Sequence, residues 1–169
     1  ESTNNAEVRF SGQNPQSIGI SNMPKVKLIK TEDTSMTRKE KAIELHDKGF
    51  NCAQAVACAF AEETGIPEEI LFAACEGFGL GMGGMAATCG AVSGAVMLAG
   101  LKNSCKNLEQ PASKADTYKL TREITKTFLE KNGSLTCGEL KGTETGKVLR
   151  SCPDCIRDAV EIAESILEL

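Results

Sequence analysis

The chain has 169 residues, a net charge of −4 and an isoelectric point near 5.2, and it is 41% apolar but only 4% aromatic. It is long enough to bury a core without disulfide staples, and it lacks the basic stripe and stacking aromatics of a nucleic-acid binder. The longest nearly apolar run, Met85 to Leu101, is broken by Thr, Ser and glycine and falls short of the ~20 residues that cross hydrocarbon.

Residues 1–35 are rich in Asn, Ser, Gln and Thr, and only "KVKLIK" alternates polar with apolar side chains. An extended polar arm with at most one short strand is expected there. From residue 36 to 169 the period is helical. "TRKEKAIELHDKGF" opens with Thr37 and Glu40 at capping-box spacing and stops at Gly49. "NCAQAVACAFAEETG" is expected to run as one helix to Gly65. Pro67 starts the next, with Glu68 and Glu69 in the first turn, where acids suit the helix dipole. The glycine loop "GFGLGMGG" (77–84) follows, then a helix from Cys89 to about Leu101. "PASKADTYKLTREITKTFLEKNG" predicts a long amphipathic helix ending at Gly133. A short turn at "TCGEL" and a terminal helix, "CPDCIRDAVEIAESILEL", complete the chain. The expectation is an all-α fold, a compact bundle of about six helices spanning 36–169, with no convincing strand pairs.

Eight cysteines are many for this length, and a domain too large to need staples points to metal binding or redox chemistry. Asn51, Thr88, Thr136 and Ser151 directly precede Cys52, Cys89, Cys137 and Cys152, and all four are good N-cap residues. Gln54, Glu139 and, more loosely, Asp154 stand where a capping box would close. Each of the four cysteines is therefore expected at the first position of its own helix. There, free N–H groups and the positive dipole end favour thiolate over thiol. Four converging helix starts would hold an anionic metal–thiolate centre and donate N–H bonds to its sulfurs. Gly90 and Gly94, four apart on one helix face, would then serve close approach to the centre and to another helix.

Cys152 and Cys155 form a CxxC at the head of the last helix. The pair reads either as a dithiol or as a second ligand source, so Cys155 joins the candidate ligands. Cys58 and Cys75, inside apolar helices, read as small core residues. Met82 and Met85 read as packing residues, and His46, beside charged neighbours, as a surface residue. Covalent haem attachment needs C-x-x-C-H, and Ile156 follows Cys155. The spacings fit neither paired zinc knuckles nor ferredoxin runs, and no G-K-[ST] follows the glycine loop to make it a phosphate loop.

"GFNCAQAV" (49–56), "GFGLGMGG" (77–84), "CGAVSGAVMLAGL" (89–101), "GSLTCGEL" (133–140) and "CPDCIRDAVEI" (152–162) together resemble the redox-active family named C_GCAxxG_C_C for its cysteine pattern. The resemblance spans roughly residues 36–169. It implies a helical domain whose four characteristic cysteines fall on Cys52, Cys89, Cys137 and Cys152, the four that the capping residues pick out. It also implies likeness to the iron–sulfur part of split-Soret cytochromes, hence a 2Fe–2S type centre without the haem segment, and it raises a homodimer as an expectation. Cys155 departs from the family's fourth-cysteine motif and leaves the fourth ligand open between Cys152 and Cys155.

Three functions follow from these residues. The leading one is one-electron transfer through an iron–sulfur centre to a redox partner protein. The second is thiol–disulfide or peroxide reduction by Cys152 and Cys155, and the third a zinc-stabilised structural domain. No nucleic acid and no membrane span is expected. The compartment, cytoplasmic or periplasmic, is left open by a chain that begins at Glu1.

Overall fold

Thr37 starts the first helix as the sequence predicts. Its hydroxyl accepts the Glu40 N–H while the Glu40 carboxylate accepts the Thr37 N–H at 2.8 Å, so both halves of the capping box are made. Helix α1 (Arg38–Asp47) then ends at Gly49, whose φ of +102° turns the chain sharply. This computed structural model describes residues 36–169, and the expected N-terminal arm with its "KVKLIK" strand lies outside them.

Helix α2 (Cys52–Cys58) is the buried centre, every residue of it shielded from solvent. The helix expected to continue to Gly65 breaks at Phe60 (φ −109°, ψ 20°), leaving α3 (Ala61–Thr64) as a single turn closed by left-handed Gly65. Burial explains the break, because the kink sends the Phe60 ring into the core, where none of it is exposed. Pro67 caps α4 (Glu68–Cys75), with both acids in the first turn. A 3-10 turn (Glu76–Phe78) and the irregular turn α5 (Gly79–Met82) follow, with Leu80 and Gly81 both in the left-handed region. Then come α6 (Gly90–Asn103), α7 (Lys114–Asn132), the short α8 (Cys137–Lys141) and α9 (Cys152–Leu167).

Six of these helices, α1, α2, α4, α6, α7 and α9, run seven residues or more, matching the expected bundle, and the described residues belong to one compact unit. Among them no strand forms, and the only bridge is an isolated antiparallel pairing of Thr88 with Thr136. Helix α2 packs chiefly on α6, and α6 in turn on α7 and α9, with α1 closing against α9. Gly94 makes the α2–α6 crossing close. A Cβ there would stand 2.7 Å from the Ala53 carbonyl oxygen and 3.1 Å from Val56 Cβ.

The core holds Phe60, Leu71, Leu98, Ile124, Phe128 and Ile156, together with Cys58 and Cys75. The Cys75 sulfur lies 3.5 Å from that of Met97. Burial pushes the Cys58 thiol up to about 12 and the Cys75 thiol up to about 11, so both are neutral packing groups. No helix among the described residues is long and apolar enough to cross a membrane.

Candidate metal centre

Four separate segments bring cysteines to one end of the bundle. Cys52 is the first residue of α2, behind a complete Asn51–Gln54 capping box in which Asn51 Oδ1 accepts two N–H groups at 2.9 and 3.0 Å. The Asn51 side-chain amide also donates to the Glu76 carbonyl at 2.9 Å, tying this helix start to the glycine loop. Cys152 is the first residue of α9, with Ser151 Oγ accepting the Asp154 N–H at 3.2 Å.

The other two helix starts differ from expectation. Cys89 is itself the N-cap of α6 and no side chain caps it. Cys137 does begin α8, but Thr136 contributes no side-chain cap. The Glu139 carboxylate instead accepts a hydrogen bond from Ser134 Oγ, which in turn accepts the Thr136 N–H at 2.9 Å. Tertiary pairing decides this, since Thr88 and Thr136 form the isolated bridge. Across it the Cys89 N–H donates to the Leu135 carbonyl (2.8 Å) and the Cys137 N–H to the Ala87 carbonyl (3.0 Å). The bridge ties the segment that carries Cys89 to the segment that carries Cys137.

Two glycines admit the sulfurs. A Cβ on Gly90 would lie 2.6 Å from Cys52 Sγ and 2.7 Å from the Phe78 carbonyl oxygen. A Cβ on Gly81, whose φ is +58°, would lie 2.6 Å from Cys137 Cβ. Gly94 touches no sulfur and serves the helix crossing. Met82 is half exposed, and neither it nor Met85 lines the sulfur cavity.

Cys52, Cys89, Cys137, Cys152 and Cys155 all line a single cavity of about 170 Å³, far above the ~10–15 Å³ that one water needs. Cys52, Cys89, Cys137 and Cys155 are buried and Cys152 is partly open to solvent. Among the described residues, no three His, Cys, Asp or Glu side chains are arranged to hold a metal ion. The five cysteines share the lining of one cavity.

Their protons are shared unequally. Cys52 is held well below the usual thiol value, first by hydrogen bonding from Cys152, then from Cys89, with help from the Leu80 and Cys52 backbone N–H groups. Cys152 is pushed up by its bond to Cys52, and burial adds to this. Cys155 is held down by its bond with Cys89. Cys89 is pushed up by its contacts with Cys155 and Cys52. Burial raises Cys137, with the nearby Cys52 and Cys155 sulfurs adding to it against the opposing charge of Lys141. Protonation is thus linked between helices, that of Cys152 with Cys52 and that of Cys155 with Cys89.

His46, Lys141 and Arg150 also line the cavity, and sequence reasoning missed all three. His46 is half-buried, not a plain surface residue, and its Nδ1 meets the Phe50 carbonyl at 2.9 Å. Arg150 is held by a two-pronged bond to Asp158 (2.8 and 3.2 Å), a carboxylate only 3% exposed that also pairs with Lys131 at 2.9 Å. One signal for His46 was available. Only "KGFN" separates the last turn of α1 from Cys52, so that turn cannot be far from the sulfurs.

The chain matches the family model described as "Putative redox-active protein (C_GCAxxG_C_C)" over residues 50–166. No curated protein and no solved structure matches it. With the match covering more than half of its length, and cysteines from four segments gathered at one cavity, the chain belongs to the C_GCAxxG_C_C family of redox-active proteins.

Proposed function

We propose that the cysteine-lined cavity holds an iron–sulfur centre, of 2Fe–2S type, and that the protein passes single electrons to a redox partner protein. One observation carries this reading: five thiols from four segments face one cavity. The donor set fits. Thiolate is the ligand of such clusters, and the five cysteines line a cavity of about 170 Å³. A lone zinc ion would instead need four sulfurs about 2.3 Å from a single point.

When bound, such a centre supplies reversible one-electron chemistry. The residues of this chain do the rest. Helix starts at Cys52, Cys137 and Cys152 turn positive dipole ends toward the sulfurs. Lys141 brings a positive charge to the wall, whereas that of Arg150 is already paired with Asp158. Leu80 lines the cavity with an apolar side chain, and N–H bonds to sulfur help set a potential. Cys52, Cys89, Cys137 and Cys152 are the ligands in this reading, with Cys155 able to stand in for one of them.

The alternative dithiol chemistry changes form here. In it, Cys152 and Cys155 would face thiols of other helices in the same cavity as well as each other. Oxygen-free purification is expected to give a coloured protein with matching iron and acid-labile sulfide, and an EPR signal on reduction. A colourless preparation with neither, even after reconstitution, overturns the proposal, and stoichiometric zinc without redox activity replaces it with a structural role. Sedimentation of the loaded protein tests the homodimer.

A further inference from the structure

We propose that His46 supplies a nitrogen donor to the sulfur-lined cavity, so that the centre is held by cysteine and histidine together. The inference rests on the metal-centre reading and goes beyond the family match, because His46 lies outside residues 50–166.

The ring lines the same cavity as the five cysteines. Its Nδ1 is 2.9 Å from the Phe50 carbonyl oxygen. A carbonyl can only accept, so Nδ1 carries the proton and donates it. In the neutral ring Nε2 is then the nitrogen with a free lone pair. Metal-ligating histidines almost always have this arrangement, with the far ring nitrogen donating to a backbone carbonyl, which fixes the tautomer and makes the near one a better donor.

The acceptor is itself fixed. The chain turns back at Gly49 in a left-handed conformation, and the Phe50 ring packs edge-on against Phe72 with centroids 4.7 Å apart. His46 therefore has little freedom to leave the cavity wall. No carboxylate and no second imidazole lines the cavity, so His46 is its one imidazole ligand candidate. Neutral imidazole in place of one thiolate removes a negative charge from the centre. The reduced form then becomes less costly and the potential rises, as in clusters where histidines replace cysteines. Five sulfurs and one nitrogen exceed four ligand positions, so two of these groups would stay unbound and could donate hydrogen bonds to the liganding sulfurs.

The chain contains a single histidine, so labelling histidine with nitrogen-15 addresses His46 alone. Pulsed EPR of the full-length, reconstituted and reduced protein should show a strong nitrogen coupling that changes isotope pattern with the label. His46→Gln should abolish that coupling and lower the midpoint potential, and His46→Cys should keep the centre at a lower potential still. Should the bound metal be zinc, the same label reads Nε2 by NMR, where a shift on loading supports the proposal and an unmoved signal overturns it. A loaded centre whose nitrogen coupling ignores the label overturns this inference alone. A protein that takes up no metal overturns it together with the reading it rests on.

Discussion

Two groups of buried sulfur in this protein behave in opposite ways. At the Cys58, Cys75 and Met97 side of the bundle the thiols sit among alanine and other apolar side chains, and burial pushes them up to about 12 and about 11. At the other end Cys52 is as well shielded from solvent, with 4% exposure against none for Cys58, yet its thiol is held far down. Burial is common to both. The difference lies in what faces the sulfur: other thiols, backbone N–H groups and a helix start at one end, hydrocarbon at the other. A count of cysteines cannot separate these environments, whereas their positions on helices can.

The sharpest break of this comparison is by substitution. Cys52→Ser or Cys89→Ser should remove the centre outright, read as loss of bound iron and visible colour. Cys58→Ala or Cys75→Ala should keep it at full stoichiometry, with a stability cost of roughly 1 kcal/mol for the small cavity left behind. The reverse pattern would mean that the two groups of sulfur have been assigned the wrong way round.

A second contrast uses two glycines of α6. Gly90→Ala places a Cβ 2.6 Å from Cys52 Sγ and 2.7 Å from backbone, and should cost about 1–3 kcal/mol by overpacking and impair metal loading. Gly100→Ala meets nothing within 4 Å and should instead stabilise by about 0.5–1 kcal/mol. Thermal melts of the two variants check the sign of each.

The third prediction concerns the polar frame behind the cavity. Burial alone would raise the Asp158 carboxyl, but hydrogen bonds from Arg150 and Lys131 outweigh it and hold the group below the usual range. A depressed carboxylate contributes stability above its unfolded value of about 4, and that contribution is lost as pH falls through the lower folded value. Asp158→Asn should therefore lose about 2 kcal/mol at neutral pH, and its deficit should close in acid. A deficit independent of pH would show that the ion pairs contribute nothing.

The smallest effect lies at neither end. Cys105 is exposed, and hydrogen bonds from the Ala112 backbone and then from the Ser113 hydroxyl push it down to about 6. At pH 7 it should be alkylated well before Cys58 or Cys75, with no change in stability or metal content, as peptide mass spectrometry would show. Equal labelling of all three would erase the distinction between exposed and core thiols.

Much of the architecture was legible because its causes are local. Thr37–Glu40 and Asn51–Gln54 close capping boxes within four residues, and Gly49, Gly65 and Gly133 end segments by adopting positive φ. Cys89 was misplaced by one residue because Thr88 is drawn into a bridge with Thr136, 48 positions on. The expected long helix after Cys52 breaks because Phe60 gains more from the core than from an unbroken hydrogen-bond ladder. Arg150 reaches the cavity wall through a carboxylate eight residues along α9, a partnership that no pattern of single residues announces.

By itself the sequence determined the helical class, the capped starts that seat Cys52 and Cys152, and the stops at Gly49 and Gly133, since capping chemistry and turn conformation depend on neighbours along the chain. Only the tertiary structure decided that Cys155 and His46 share the cavity, and that Gly90 faces a sulfur while Gly94 faces a helix. Those outcomes depend on distances between segments far apart in sequence, and such distances are set by how the bundle packs.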